Sequence, residues 1–144
     1  MAERFLVGID DSDCSSRALA FAAARAKEAD TALLVAYVIE WSPFAFQTQE
    51  ENEVRRKRRE EEISKARSAV LDPALKRLEG EGVKVEGVVR HGDVARVLDD
   101  LAVEHRADQL IIGRVGGTGL SSMIFGSTSA KLVQMASVPI TVVP

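Results

Sequence analysis

The chain has 144 residues, 46% of them hydrophobic, with 19 Lys and Arg against 22 Asp and Glu. That suits one domain with a full core and leaves no room for a second. A net charge of -3 and a pI near 5.5 exclude any general electrostatic pull toward nucleic acid or anionic lipid.

A single cysteine, Cys14, excludes an internal disulfide and fits a reducing compartment. His91 and His105 stand apart, with no Cys-x2-Cys or His-x3-His spacing that would bind a metal. No apolar run approaches the roughly 18 residues of a membrane span. The start, Met1-Ala2-Glu3-Arg4, lacks a signal-peptide core, so a cytoplasmic protein is expected, with neither membrane nor nucleic acid as partner.

In chain order, Phe5–Ile9 reads as a first strand, and Asp10–Ser12 turn into a helix that runs to about Ala29 with Ala18, Leu19, Ala22 and Ala26 on one face. Leu33–Val38 is almost continuously apolar, as a strand buried on both faces should be. Glu40–Thr48 reads as a loop over the domain body. From Gln49 to about Glu79 the period is helical, with Ile63, Ala66, Val70 and Leu71 on one side and Pro73 interrupting it.

Val83–Arg90 is a third strand. Asp93 caps a helix whose Val94, Val97, Leu98 and Leu101 point inward, Gln109–Ile112 is a fourth strand, Lys131–Ala136 a last helix and Pro139–Val143 a fifth strand. This alternation describes a single doubly wound α/β domain over residues 1–144, a five-stranded parallel sheet of order 3-2-1-4-5 with helices on both faces. Its strand order reverses between strands 1 and 4, where a crevice opens between Asp10-Asp11-Ser12 and Gly113.

The chemistry concentrates after the fourth strand, in the spacing Gly113-x2-Gly116-x9-Gly126-Ser127. Glycines let backbone N–H groups approach an anion where a Cβ would collide, and amides at a helix start are unpaired donors with partial positive charge. The turn Ser127-Thr128-Ser129-Ala130 offers hydroxyls and no carboxylate, so it is left open for an outside anion. Gly-x4-Gly-Lys-Ser/Thr is absent, since no lysine precedes Ser127, and the string from Gly117 to Ser122 breaks the dinucleotide fingerprint at its third glycine.

The run Arg55-Arg56-Lys57-Arg58-Arg59 lies between acidic stretches. Helical spacing pairs Glu51 with Arg55, Glu53 with Lys57, Arg56 with Glu60 and Arg58 with Glu62, a self-compensated solvated face without aromatic residues to stack bases.

Val-Gly-Ile-Asp-Asp-Ser after the first strand, Val38 closing the second, His91-Gly92-Asp93 before a helix and the glycine motif together resemble the universal stress protein family, from about Phe5 to Val143. The resemblance implies a Rossmann-like domain of the adenine nucleotide alpha hydrolase kind, in whose nucleotide-binding branch ATP lies across the first and fourth strands. Carried over by position, Asp10 and Val38 hold the adenine end, Gly113 approaches the ribose and phosphates, and Gly116, Gly126, Ser127 and Thr128 receive the triphosphate. Ser12 joins this set from the turn beside the crevice, with helix capping as its alternative role.

Arg114 is the only cation in the glycine loop. Amides, hydroxyls, Arg114 and a bound Mg2+ are therefore the available neutralisers of ATP, and the lack of a second basic group weakens ATP relative to ADP or AMP. No residue reads as catalytic. Relatives also pair the fifth strand, Val138 to Val143, with a second copy, which would remove an exposed apolar edge bracketed by Pro139 and Pro144.

The expectation is a dimeric, ATP-binding regulatory protein of the stress response, signalling through nucleotide-dependent shape or a regulated protein partner. The alternatives are a slow ATPase or self-phosphorylating enzyme, and a dimeric interaction module that binds no nucleotide.

Overall fold

The computed structural model describes residues 3–40, 49–115 and 126–144, with backbone alone for 49–52. Five parallel strands, β1 (Phe5–Ile9), β2 (Leu33–Glu40), β3 (Val85–Gly92), β4 (Gln109–Gly113) and β5 (Ile140–Val143), form one sheet of order β3-β2-β1-β4-β5. Central β1 pairs Val7 with Val35 on one side and with Ile111 on the other.

Strand side chains alternate between faces, and each face finds a cover of helices. Phe5, Val7, Ile9, Leu33, Val35 and Ile111 join α1 (Asp13–Glu28) and Leu71, Ala74 and Leu78 in one core cluster. Leu6, Ala36, Val38, Leu110 and Ile112 meet α4 (Val94–Glu104) and Leu132 of α5 (Ser127–Met135) in the other. Burial on both sides is why these strands read as unbroken apolar runs. A Cβ on Gly8 would stand 2.7 Å from Leu98 Cδ1, so this glycine sets the close approach of α4 to β1.

The expected long helix is three pieces: α2 (Gln49–Ala66), a π-helical turn (Arg67–Leu71) and α3 (Asp72–Arg77). Pro73 lies in the first turn of α3, and the strain falls just before it: Asp72 N–H reaches back five residues to Arg67 O. A proline cannot donate and crowds the carbonyl four residues earlier, so a widened turn accommodates it.

Other boundaries move slightly. β2 runs on to Glu40, β3 lies two residues later than expected, and α5 starts at Ser127 instead of Lys131, because the hydroxyl-rich turn is itself helical. Residues 41–48, most of the expected loop, lie outside the described residues.

The pairing expected along α2 also needs correction. Among the described residues Glu53–Lys57, Arg56–Glu60 and Arg58–Glu62 do not close, and Glu62 instead meets His91 of β3 at 2.9 Å. Crossing to a half-buried strand partner shields that pair more than a neighbour on the same exposed helix would.

Candidate functional site

A cleft of about 490 Å3 opens at the carboxyl ends of β1 and β4, the point where the strand order reverses. Such a crevice follows from the topology, because the crossovers on either side leave in opposite directions. Its two walls are built differently.

The β1 and β2 wall carries carboxylates over an apolar floor. Asp10 Oδ1 accepts from Ser12 N–H at 2.8 Å and from the Ser12 hydroxyl, while Asp10 N–H donates to Ser15 Oγ at 2.7 Å. Ser12 is the N-cap of α1, its Oγ accepting from Ser15 N–H at 3.1 Å. Asp10 lines the cleft beside Asp11, Tyr37, Val38 and Glu40. Ser12 is not among the lining residues: its hydroxyl is committed to the cap, the role that competes with binding for a serine before a helix.

Val38 is 7% exposed and belongs to the core while showing a face to the cleft. Burial first, then the Asp11 and Asp10 carboxylates, push the Tyr37 phenol above its ordinary value.

The β4 and α5 wall is a donor wall. Arg114 N–H donates to Val143 O at 2.8 Å, and Arg114 O accepts from Gly126 N–H at 2.9 Å, so the two ends of the glycine loop are tied together. Ser129, 2% exposed, gives its hydroxyl to Arg114 O at 2.8 Å and Gly126 O at 3.0 Å. Gly126 caps α5 without a side-chain hydrogen bond, and the first turn holds no acid. The helix ladder begins with Ala130 N–H to Gly126 O, so the amides of 127–129 precede it, the usual unpaired donors of a helix start.

Gly113, Arg114, Gly126 and Thr128 line the cleft. Ser127 is exposed and is not among the lining residues. Gly116, with the loop through residue 125, lies outside the described residues.

Gly113 is glycine for a reason the motif did not disclose. A Cβ there would lie 2.9 Å from Cys14 Sγ and 3.1 Å from the Cys14 carbonyl carbon and oxygen, so the first turn of α1 takes that space. Asp11, Tyr37, Glu40 and Val115 also line the cleft and were not in the sequence-derived set. For Glu40 the signal was available: it follows the apolar run of a central strand, at the end where ligands bind, whereas Tyr37 lies within that run.

His91 is spent on Glu62, and His105 follows α4 as its C-cap, its N–H donating to Leu101 O at 2.9 Å. Neither lines the cleft. Among the described residues no helix is long and apolar enough to cross a membrane.

The model of the universal stress protein family matches residues 1–144. The chain belongs to this family. It is 28% identical to universal stress protein YxiE of Bacillus subtilis, over 99% of each chain, and 30% identical to universal stress protein MJ0531 of Methanocaldococcus jannaschii, over 98% of this chain and 81% of that one.

Among solved structures, universal stress protein UspA of Lactobacillus plantarum superposes with a TM-score of 0.80 at 22% identity, covering 99% of this chain and 98% of that one. The fold is thereby the Rossmann-like α/β fold of the family. A universal stress protein in complex with cAMP is similar at TM-score 0.68 and 23% identity, covering 99% of this chain and 96% of that one. The Archaeoglobus fulgidus protein in complex with dAMP matches at 0.62 and 23%, over the whole of both chains. At such identities the likeness concerns the fold.

Proposed function

We propose that the cleft binds an adenine nucleotide, and that occupancy changes the shape or partner surface of a regulatory stress-response protein. The observation that carries this reading is the pairing of two unlike walls at the switch point. The open amide end of α5, with Arg114 and Thr128, stands opposite the apolar surface of Val38. A phosphate needs the first and a purine face the second.

The volume falls within the roughly 300–1,000 Å3 of small-molecule sites. Asp10, with Oδ1 occupied by Ser12, suits the polar edge of a base or a ribose hydroxyl better than a phosphate. The nucleotide complexes of two fold relatives, one with cAMP and one with dAMP, support the same ligand class. With ATP as ligand, Mg2+ would supply countercharge that Arg114 alone does not. The functional unit is a homodimer through Val138 to Val143, placed in the cytoplasm and read by a regulated protein partner.

Heating the purified protein should release adenine nucleotide at near-stoichiometric yield, or the emptied protein should titrate with added nucleotide. Gly126→Val should weaken retention about tenfold or more, equivalent to about 1.4 kcal/mol. Gly126 has φ -64° and ψ 159°, open to any residue, so this variant tests space and leaves the backbone unstrained. Equal retention by the variant would refute the assignment. Phosphate release from Mg-ATP at about 1–10 per second would make the protein an enzyme instead.

A second reading, an interaction module that binds no nucleotide, is favoured by Gly113, whose glycine is accounted for by packing against Cys14 alone. A protein that releases nothing and ignores every added adenine nucleotide would establish it.

A further inference from the structure

A second concavity lies at the opposite end of the sheet from the cleft. It holds about 310 Å3 at the amino ends of β1, β2 and β3. Leu6, Leu34 and Glu86 are register neighbours across these three strands, so their side chains share one face of the sheet. Leu6 and Leu34 pack into the core on that face, whereas Glu86, on the edge strand, is exposed. All three line the cavity, and Arg4 and Thr31 add to its polar rim.

The charges at this rim are unspent. Arg4 Nη1 donates to His105 O at 3.3 Å, which seats the guanidinium beside the end of α4. Among the described residues neither Arg4 nor Glu86 forms an ion pair, so two opposite charges face one small cavity without meeting each other or a third group. His105 lines the same cavity, and its Nε2 is buried with no hydrogen-bond partner among the described residues. Buried polar atoms are ordinarily met, so an unmet one beside a cavity marks room for a ligand's polar group.

From these residues we infer that the cavity binds a free α-amino acid with an apolar side chain. Its carboxylate lies on Arg4 and Thr31, its ammonium on Glu86, and its side chain against Leu34. A carboxylate is the anion whose shape matches a guanidinium, and Glu86 supplies the acceptor that an ammonium needs. A zwitterion meets both charges at once. A ligand with one charge leaves the other protein charge facing apolar surface, and a site built to pair a group rejects the analogue that lacks it. The volume stands at the small end of the roughly 300–1,000 Å3 of ligand sites, which suits an amino acid better than a nucleotide. The cavity shares no lining residue with the cleft, so its occupancy is separable from whatever the cleft holds.

The experiment is titration of the purified protein with L-leucine, leucinamide and isocaproate, followed by amide NMR. Leucine should shift the signals of Ala32, Leu34 and Ala107 saturably and leave those of Gly113 and Thr128 in place. Leucinamide lacks the carboxylate and isocaproate the ammonium, and each should bind about tenfold or more weakly, the equivalent of about 1.4 kcal/mol. Arg4→Gln and Glu86→Gln, both at exposed positions, should each weaken leucine by a similar factor while the protein stays folded. Arg4→Gln should bring leucine and leucinamide within about twofold of each other, and Glu86→Gln should do the same for leucine and isocaproate.

No saturable shift with leucine at millimolar concentration, shifts centred on the cleft, or equal binding of the three ligands would overturn the proposal. Folded variants that keep the full discrimination would overturn the roles of Arg4 and Glu86.

Discussion

Gly113 and Gly8 show that a glycine in a ligand-rimming position can be required from behind. At Gly113 the missing Cβ would meet backbone atoms of Cys14, which cannot step aside, whereas at Gly8 it would meet the end of the Leu98 side chain. Gly113→Ala should therefore cost about 1–3 kcal/mol, and Gly8→Ala less, because a side-chain end can rotate and a helix backbone cannot. Denaturant titration of both variants gives the order, and the reverse order would mean that α1 shifts freely. Tyr37 offers a second measurement, since it is the only tyrosine. Its phenol should titrate above about 10 by absorbance, and Asp11→Asn should lower the midpoint. A proton held more tightly in the folded state stabilises fully below the unfolded pKa, and that stability disappears as pH climbs through the folded one. The denaturation midpoint should accordingly fall above about pH 10, and fall less in Tyr37→Phe.

Among elements, α1 and α2 contrast most. α1 buries Ala18, Leu19, Ala22, Ala23 and Ala26, whereas none of the described side chains of α2 is fully buried. Its charged sequence forms a helix but leaves little apolar surface to attach it, so α2 rests on partial contacts through Ile63 and Ala66 and on the Glu62–His91 pair. Hydrogen exchange should open α2 well before α1. Glu62→Ala should cost under about 1 kcal/mol globally, as a half-exposed pair does, yet speed exchange in α2 selectively. Uniform acceleration of every element would mean that α2 unfolds only with the whole domain. The π turn behind it was not legible beyond Pro73: the sequence announces a break, but whether the helix bends, stops or widens depends on seating Leu71 and Leu75 over Gly87.

For the whole molecule, the edge of β5 is the open question of assembly. Pro139 O accepts from Leu110 of β4 and Val143 O from Arg114 just after it, so by strand alternation the N–H groups of Ile140 and Val142 point to the outer edge. A dimer built by adding a second copy there would use Val142 N–H. Val142→Pro should leave the β4 ladder intact and shift sedimentation from dimer to monomer, with the thermal midpoint of the monomer little changed. An unaltered dimer would place the interface on another face.

The sequence by itself determined the element order, the strand order and the place of the cleft. Period-2 and period-3.6 patterns reflect which face is buried, and right-handed crossovers leave few topologies once the elements alternate. It also marked the open start of α5 through its glycine, its hydroxyls and its missing acid. The capping role of Ser12, three residues from its partner, was legible too, but only the tertiary structure bound Ser129 to the Arg114 carbonyl, His91 to Glu62 and Gly113 to the backbone of Cys14. Tyr37 came to the cleft wall by the same route. Local patterns record a residue's own conformational preference and burial, but hydrogen-bond partners and field strength are set by groups tens of residues away, which meet only when the chain closes.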